Sequence, residues 1–327
     1  MKALVTGGTG FIGSAVVELL VANGHSVRLI SRKPGLPERF SGKDVTVVRG
    51  DLGDPESVLG AMAGMDVLYH IGEIKNTSPR AVKKNVQLME RVAGHLGPAG
   101  MKRLVFVSSI TVAGIPGGIP ANEDTAPRSL LKDPYTLYKQ HCEKLLVEKT
   151  AGVEYAVVRP GIVYGPGSRY LRGLVSTIDH FGTLGIPFVG RGSSVAPLVY
   201  VKDLARAVFL AGIEDAAAGR IFNITDGANN SWSDFIKAIG TALGKEVRLL
   251  PVPPLLFSAP ASLIDLFAGL AGATMSAATY VTYVTTDLMF DTGRAQKLLD
   301  WRPDYPLKRG VEEMVVDYRA RHGPPRT

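Results

Sequence analysis

Short apolar runs rich in β-branched residues alternate with longer segments of helical periodicity through the first half of the chain. The short runs predict strands at residues 2–6, 26–31, 45–50, 67–71, 104–108 and 155–159. The longer segments predict helices at residues 13–23, 55–62, 81–96 and 134–150. Alternation of this kind is typical of a parallel sheet that carries helices on both faces. The pattern therefore predicts an α/β fold built on a doubly wound parallel sheet.

Beyond Gly165 the alternation gives way to segments punctuated by glycine and proline, with helices between them. We therefore expect residues 1–165 to form a Rossmann-type nucleotide-binding domain, and residues 166–195 and 226–327 to form a smaller, mostly helical substrate-binding domain. Residues 196–225 regain sheet-like character, with a strand and a helix at 198–212 and a strand at 220–225. The chain is expected to return to the first domain there.

Composition narrows the class of protein. Of the 327 residues, 46% are hydrophobic and 20% are charged, as in an ordinary globular protein. The single cysteine, Cys142, cannot form an internal disulfide, and no Cys or His cluster has the spacing of a zinc site. The N-terminal segment lacks the three-part pattern of a signal peptide. These features predict a protein without a bound metal in a reducing, cytoplasmic compartment.

Charge and hydropathy bear on the possible partners. The net charge is +7, but Lys and Arg are scattered among acidic residues, which argues against a nucleic-acid surface. The most apolar stretch, residues 253–273, is interrupted by Pro254, Pro260 and Asp265 and is too broken to span a membrane. A small-molecule substrate is the expected partner, and peripheral contact with a membrane stays open.

A glycine-rich segment follows the first predicted strand and opens a helix. Glycines at such a turn allow the backbone to approach a pyrophosphate closely, and the helix N-terminus attracts the phosphates. The alternating α/β context makes a plain surface turn the weaker interpretation. The predicted cofactor contacts in this segment are Gly7, Thr9, Gly10, Phe11, Ile12 and Gly13.

The end of the second strand bears on the choice of nicotinamide cofactor. NAD sites commonly place an acid there to bind the ribose hydroxyls, whereas this strand ends in Ser31 and Arg32, and no acid follows until Glu38. A hydroxyl and a guanidinium suit a 2′-phosphate, so NADP(H) is favoured and NAD(H) remains possible. The alternative is a solvated basic loop.

The third strand is followed by Asp51 and Leu52. The aspartate is placed to accept a hydrogen bond from the adenine amino group. Alternatively, Asp51 caps the helix that begins near Asp54.

Candidate catalytic chemistry lies in a helix and at a strand end. Tyr135 and Lys139 stand four residues apart in a predicted helix and therefore share one face. A nearby ammonium favours phenolate and is expected to lower the tyrosine pKa toward the range useful for acid–base catalysis. Ser109 follows the 104–108 strand at the carboxyl edge of the sheet, where its hydroxyl can polarise a carbonyl. Taken singly, the pair is more often a surface contact, and such a serine is more often a helix cap.

The motifs together are identified as those of the extended short-chain dehydrogenase/reductase family. They run in family order along nearly the whole chain: TGGTGFIG at 6–13, Asp51-Leu52, Asn85-Val86, VSSI at 107–110, YTLYK at 135–139, RPGIVYGPG at 159–167, VYVKDLARA at 199–207, FNI at 222–224 and FDTGRAQKLLDWRP at 290–303. The resemblance implies that Tyr135 transfers a proton, Ser109 binds the reacting oxygen, and Lys139 holds the nicotinamide ribose while tuning Tyr135. It implies a structural role for Arg159. It also implies further cofactor contacts from Ile71, Gly72, Asn85, Val107, Pro160, Ile162 and Val163.

Departures from other branches refine the resemblance. The SSITVAG run at 108–114 lacks the Tyr-Gly of sugar epimerases and the Asp-Glu pair of 4,6-dehydratases. It is most similar to the branch of 3β-hydroxysteroid dehydrogenases and dihydroflavonol reductases. That branch fits the apolar residues of segment 255–270, which are expected either to wall a hydrophobic pocket or to be ordinary core.

Three functions remain open at this point. The first is NADP(H)-dependent interconversion of a ketone and a secondary alcohol on a moderately apolar substrate. The second is a nucleotide-sugar epimerase with tightly bound NAD(P), in which Arg169 and Arg191 would grip a diphosphate. The third is a non-catalytic NADP-binding regulatory protein. The family resemblance also implies a possible homodimer.

Overall fold

The computed structural model describes residues 1–74, 78–131, 133–150, 152–254 and 277–322. Its strands are β1 (Lys2–Thr6), β2 (Ser26–Ser31), β3 (Val45–Arg49), β4 (Val67–His70), β5 (Arg103–Val107), β6 (Ile115–Pro116), β7 (Pro127–Ser129), β8 (Glu154–Pro160), β9 (Ile162–Tyr164), β10 (Ile186–Val189), β11 (Leu198–Tyr200), β12 (Arg220–Ile224) and β13 (Leu249–Val252). Its α-helices are α1 (Phe11–Ala22), α2 (Pro55–Met62), α3 (Pro79–His95), α4 (Pro134–Lys149), α5 (Arg169–Phe181), α6 (Val201–Ile213), α7 (Trp232–Leu243), α8 (Ala277–Thr285), α9 (Gly293–Leu299) and α10 (Leu307–His322).

Seven strands form one parallel sheet in the order β12-β8-β5-β4-β1-β2-β3. The order reverses between β1 and β4, because β2 and β3 extend the sheet on one side of β1 and the later strands extend it on the other. Open α/β sheets bind ligands at such a switch point, beyond the carboxyl ends of the strands. The predicted doubly wound Rossmann sheet is confirmed, and its switch point falls where the glycine-rich segment follows β1.

Alternate strand residues build one core on each face of the sheet. In β1, Ala3 and Val5 pack on the side of α1 and α6, whereas Leu4 packs on the side of α2, α3 and α4. In β5, Val105 faces the first side and Phe106 the second. Burial on both faces explains why these strands are continuously apolar rather than alternating with polar residues.

A further core joins α5, α7 and α10 to β9, β10 and β11. The later strands divide between sheets: β12 pairs with β8 at the edge of the large sheet, whereas β11 pairs with β9 in a separate two-stranded sheet. A small cluster of Ile110, Ile115, Leu131, Tyr283 and Phe290 lies beside the end of β5. None of the helices in the described part of the chain is long and apolar enough to cross a membrane.

Candidate functional site

The glycine loop, residues 7–13, makes a tight turn at the carboxyl end of β1. Gly7 has φ of +70°, a conformation that favours glycine, and its carbonyl accepts a hydrogen bond of 2.8 Å from the Gly10 amide. A Cβ at Gly7 would lie 2.6 Å from the Cα of Gly72, which follows β4. Two glycines therefore allow the loops after β1 and β4 to touch at the switch point.

Helix α1 begins at Phe11, two residues before the predicted start at Gly13, and Gly10 is its N-cap. No side chain caps this end of the helix, so its first amide groups and the positive end of its dipole point outward from the turn. The polypeptide thus presents uncapped backbone donors at a turn whose glycines leave no side chain over the helix N-terminus. These features fit the pyrophosphate of a dinucleotide.

The end of β2 lies beside this loop, and the end of β3 lies one strand further along the sheet. Ser31 ends β2, and its hydroxyl accepts a 3.2 Å hydrogen bond from the Lys33 amide, while Arg32 is exposed to solvent. After β3, the exposed Asp51 accepts a 2.8 Å bond from the Gly53 amide. Asp54, rather than Asp51, caps α2 by accepting from the Glu56 amide, so the alternative role for Asp51 as the cap is wrong.

The segment after β4 is fixed at both of its ends. The Thr6 hydroxyl accepts hydrogen bonds from the amides of Ile71 and Gly72, at 3.2 and 3.1 Å. The buried Asn85 side chain accepts from the Ile74 amide at 2.9 Å and donates to the Ile74 carbonyl at 3.1 Å. Asn85 was predicted as a cofactor contact, but in the structure its amide is used to hold this segment. Because its side chain is buried and bonded to this backbone, Asn85 positions the segment after β4.

The predicted catalytic residues meet at the carboxyl end of β5. Helix α4 is capped by Asp133, which accepts from the Thr136 amide at 3.0 Å and so sets the orientation of Tyr135 in the first turn. Ser109 lies close enough to Tyr135 to interact with its phenol, and the Ser109 oxygen accepts a 3.0 Å bond from the Thr111 hydroxyl. Ser109 also caps the short 3-10 helix that follows β5, so it combines the cap role with contact to the tyrosine.

Lys139 is buried beside this pair. Its ammonium donates a 2.9 Å hydrogen bond to the Val107 carbonyl and lies 5.7 Å from the centre of the Tyr135 ring. It also lies over the rings of Phe106 and Tyr138, at 4.9 and 5.0 Å from their centres. Tyr135 and Lys139 therefore share one helix face, as predicted, and the ammonium lies beside the phenol ring.

The electrostatics of Tyr135 differ from the expectation. Burial raises the pKa of Tyr135 well above its ordinary value, the Glu73 carboxylate raises it further, and the nearby Ser109 hydroxyl opposes both effects. The prediction that Lys139 lowers this pKa did not include Glu73, whose carboxylate lies 3.3 Å from the Lys139 ammonium and offsets its charge. We refer to Tyr135, Ser109, Lys139 and Glu73 as the tyrosine cluster.

Sequence reasoning missed several groups around Tyr135. Glu73 comes from the loop after β4, while Tyr170 of α5 and Tyr283 of α8 are near enough to affect the Tyr135 pKa. The Tyr283 hydroxyl is buried without a hydrogen-bond partner in the described part of the chain. An acid directly after Ile71 and Gly72 at a strand end was a readable signal, but nothing local indicated the two tyrosines.

A buried ion pair fixes helix α4, which carries Tyr135 and Lys139, against the sheet. Arg159 in β8 bonds to both carboxylate oxygens of Glu143 in α4, with the closest contact at 2.5 Å. The same carboxylate accepts from the hydroxyl of Ser108, the neighbour of Ser109. The arrangement fits the structural role expected for Arg159, because it ties α4 to β5 and β8.

The remaining predicted site residues lie on later elements of the chain than the tyrosine cluster. Pro160 ends β8, and Ile162 and Val163 lie in β9, which begins two residues after Pro160. Arg169 and Arg191 are exposed on separate elements, at the start of α5 and after β10. The apolar segment 255–270 lies outside the described residues, so its predicted pocket wall is not tested.

Two groups in the interior are not available for chemistry. His70 is buried and bonded to the Thr6 hydroxyl at 3.1 Å, and burial lowers its pKa to about 3. Cys142 is fully buried, which raises the pKa of its thiol to about 12. Both are therefore neutral core residues near neutral pH.

Comparison with known proteins places this geometry in a family. Residues 3–225 match the NAD dependent epimerase/dehydratase family. The chain is 30% identical over 261 residues to the 2-alkyl-3-oxoalkanoate reductase of Stenotrophomonas maltophilia (strain K279a), covering 75% of this chain and 76% of that protein. It is 25% identical to the UDP-glucose 4-epimerase of Vibrio cholerae, covering 95% of this chain and 93% of the relative.

Solved structures agree on the fold. MoeE5 in complex with UDP-glucose and NAD superposes with a TM-score of 0.76 at 23% identity, over 99% of this chain and 100% of that chain. Since the family match covers most of the chain and the sheet is of the same type, the resemblance inferred from the motifs is confirmed. The chain belongs to the NAD-dependent epimerase/dehydratase family, and it is an enzyme of the extended short-chain dehydrogenase/reductase type.

Proposed function

We propose that this enzyme is an NADP(H)-dependent oxidoreductase that interconverts a ketone and a secondary alcohol on a moderately apolar substrate. The observation that carries the proposal is the placement of Tyr135 and Ser109 together beside the buried Lys139 ammonium at the carboxyl end of β5. This trio stands at the same edge of the sheet as the glycine loop, which fits a dinucleotide. A phenol, a hydroxyl and an ammonium in that arrangement serve carbonyl and carbinol chemistry.

Each side chain of the trio has a distinct role in the proposed reaction. The nicotinamide, when bound, supplies or accepts the hydride. Tyr135 exchanges a proton with the substrate oxygen, and Ser109 hydrogen-bonds the same oxygen to hold it against the phenol. Lys139 is fixed by the Val107 carbonyl and keeps positive charge beside Tyr135. The glycine loop would bind the pyrophosphate through its amides.

The preference for NADP(H) rests on the end of β2. Ser31 and Arg32 occupy the position at which an acid would bind the ribose diol of NAD, and Arg32 is exposed and able to reach a ligand. A guanidinium pairs strongly with a 2′-phosphate. Asp51, whose side chain already accepts from the Gly53 amide, is proposed to contact the adenine.

An apolar substrate is supported by the surroundings of Ser109. Ile110, Ile115 and Leu131 form part of an apolar cluster with the buried Tyr283, next to Tyr135. The similarity to a reductase named for 2-alkyl-3-oxoalkanoates, which carry an alkyl chain beside a ketone, points in the same direction.

Nucleotide-sugar epimerisation is the second candidate. It is favoured by the similarity to a UDP-glucose 4-epimerase over nearly the whole of both chains. Arg169 and Arg191 would then bind the diphosphate, although they lie on separate elements. In this reaction the cofactor is reduced and reoxidised within one turnover, so no net change of cofactor accumulates.

A parallel assay separates the candidates. The purified enzyme is incubated with NADPH and, in separate wells, with apolar ketones and with nucleotide sugars, while nicotinamide absorbance and sugar composition are followed. We expect loss of NADPH absorbance with ketones and no epimer. Epimers without a net change in absorbance would replace the proposed function by the second candidate.

A further inference from the structure

Glu73 is held in place by backbone contacts on both sides. Its neighbour Gly72 is bound to Thr6 and packed against Gly7, and its other neighbour, Ile74, is bound twice by the buried Asn85. The side chain is thereby directed from the end of β4 across the carboxyl ends of β4 and β5 to α4, where Lys139 lies. A carboxylate in a free surface loop would not be fixed in this manner.

The contact with Lys139 is close and partly shielded from water. The Glu73 Oε2 atom lies 3.3 Å from the Lys139 ammonium, and that oxygen is buried without a hydrogen-bond partner in the described part of the chain. The lysine side chain is only 4% exposed. Its ammonium is also held by the Val107 carbonyl, so the lysine does not depend on Glu73 for its position. The contribution of Glu73 is therefore its charge.

We infer that Glu73 acts through Lys139, whose charge it offsets, so that Tyr135 enters the reaction as a protonated phenol, the form that donates a proton to a ketone. This inference deepens the proposed function and rests on it. Glu73 thus joins the predicted pair of Tyr135 and Lys139. Its carboxylate extends the pH range over which Tyr135 stays protonated, and so favours ketone reduction over alcohol oxidation.

The reaction step balances with Tyr135 as the acid. The O–H bond of Tyr135 breaks, and its proton passes to the carbonyl oxygen as the carbonyl carbon accepts a hydride from reduced nicotinamide. The carbonyl becomes a secondary alcohol, the nicotinamide becomes oxidised, and the phenolate of Tyr135 regains a proton from water. Oxidation of the alcohol needs the phenolate at the outset, which a neutralised ammonium stabilises less.

The groups facing Tyr135 come from five elements. Glu73 and Lys139 form the ion pair among them, and burial raises the pKa values of Tyr135, Tyr138 and Tyr283. Burial is the largest cause of the raised Tyr135 pKa, and Glu73 is the next. The facing groups are Glu73 after β4, Ser109 after β5, Tyr138 and Lys139 of α4, Tyr170 of α5 and Tyr283 of α8, with Asp133 adjacent to Tyr283.

Two substitutions at one position isolate the charge. Glu73→Gln keeps the shape and removes the carboxylate, and Glu73→Asp keeps the charge on a shorter side chain. Each variant is made in two forms, with Tyr135 and with Tyr135→Phe. The ultraviolet phenolate absorbance of the second form is subtracted from that of the first, and the difference reports the ionisation of Tyr135 alone. This titration needs neither substrate nor cofactor. Glu73→Ala replaces the Gln variant if circular dichroism shows that the latter does not fold.

We expect Tyr135 to ionise at a pH lower by about one unit in the Gln variant, the size of shift that a neighbouring charge produces. The alkaline limb of kcat/KM for ketone reduction should move down with it, while the Asp variant stays with the wild type. Equal Tyr135 ionisation in the Gln variant and the wild type would overturn the inference. If the wild type reduces no ketone, the proposed function fails, and the phenolate titration still decides the role of Glu73.

Discussion

The glycine loop and the tyrosine cluster stand at the same edge of the sheet but are built by different means. The loop is defined by backbone: Gly7 and Gly72 touch because neither has a Cβ, and α1 begins without a side-chain cap. The cluster is defined by side chains from several elements, with Glu73 and Lys139 at 3.3 Å. The loop is suited to hold a ligand of fixed shape, whereas the cluster has protonation states that neighbouring charges can tune.

This difference predicts that substitutions in the two regions impair different properties of the enzyme. A change in the cluster that preserves shape should affect turnover while binding survives. A change in the loop that adds volume should affect cofactor binding and folding together. The following substitutions test this contrast, beginning with the largest effect.

Tyr135→Phe removes the proton donor and keeps the ring. We expect kcat to fall roughly a hundredfold to ten-thousandfold, since that is the range typical of a lost general acid. The affinity for NADPH, measured by fluorescence titration, should stay nearly unchanged. Tyr155→Phe, in β8 away from the cluster, is the matched control and should retain wild-type kcat. Full activity of the Tyr135 variant would remove the assigned role and favour a different acid.

Much of the loop and the trio could be predicted from the sequence because their requirements are local. Glycines directly after a strand report a turn, and four-residue spacing puts Tyr135 and Lys139 on one helix face. The start of α1 was predicted two residues late at Gly13, because the helix uses Gly10 as its N-cap without a side-chain signal. The alternation of apolar runs was sufficient to predict the parallel sheet.

The partners of the trio could not be predicted, because they approach it from distant parts of the chain. Glu73, Tyr170 and Tyr283 belong to three different elements, and no periodicity connects them to Tyr135. The predicted direction of the Tyr135 pKa shift was wrong because burial, its largest cause, and the Glu73 carboxylate, the next, were not visible beside the one cation in the helix. Asn85 likewise appeared in the motif order, but only the structure shows its bonds to Ile74.

Gly72→Ala tests the loop region. The new Cβ would lie 2.7 Å from the Gly7 amide nitrogen and 2.9 Å from Leu52 Cδ1. We expect the free energy of unfolding to fall by about 1–3 kcal/mol through overpacking, with weaker NADPH binding in the folded protein. Denaturant titration and fluorescence titration measure the two effects.

Gly94→Ala is the matched control for that substitution. Gly94 is exposed in α3, and a Cβ there meets nothing within 4 Å. Stability should rise by about 0.5–1 kcal/mol, because alanine favours a helix over glycine. If both variants behaved alike, the close approach of the loops after β1 and β4 would not be the cause.

Arg32→Ala tests cofactor choice and leaves folding and turnover chemistry untouched. Loss of a charge-assisted bond to a 2′-phosphate should weaken NADPH binding about tenfold to a hundredfold and leave NADH binding nearly unchanged. Dissociation constants for both cofactors give the comparison, with Arg220→Ala, an exposed arginine at the start of β12 on the opposite edge of the sheet, measured alongside. Equal weakening of NADPH and NADH would show that Arg32 does not recognise the phosphate.

Transfer of the label from NADPH deuterated at nicotinamide C4 tests the central claim most directly. The enzyme is incubated with the labelled cofactor and an apolar ketone, and the product is analysed by mass spectrometry. The account predicts a secondary alcohol with deuterium on the carbinol carbon from the wild type, and almost none from Tyr135→Phe. Unlabelled ketone recovered from the wild type, together with epimerised nucleotide sugar in a parallel reaction, would contradict it.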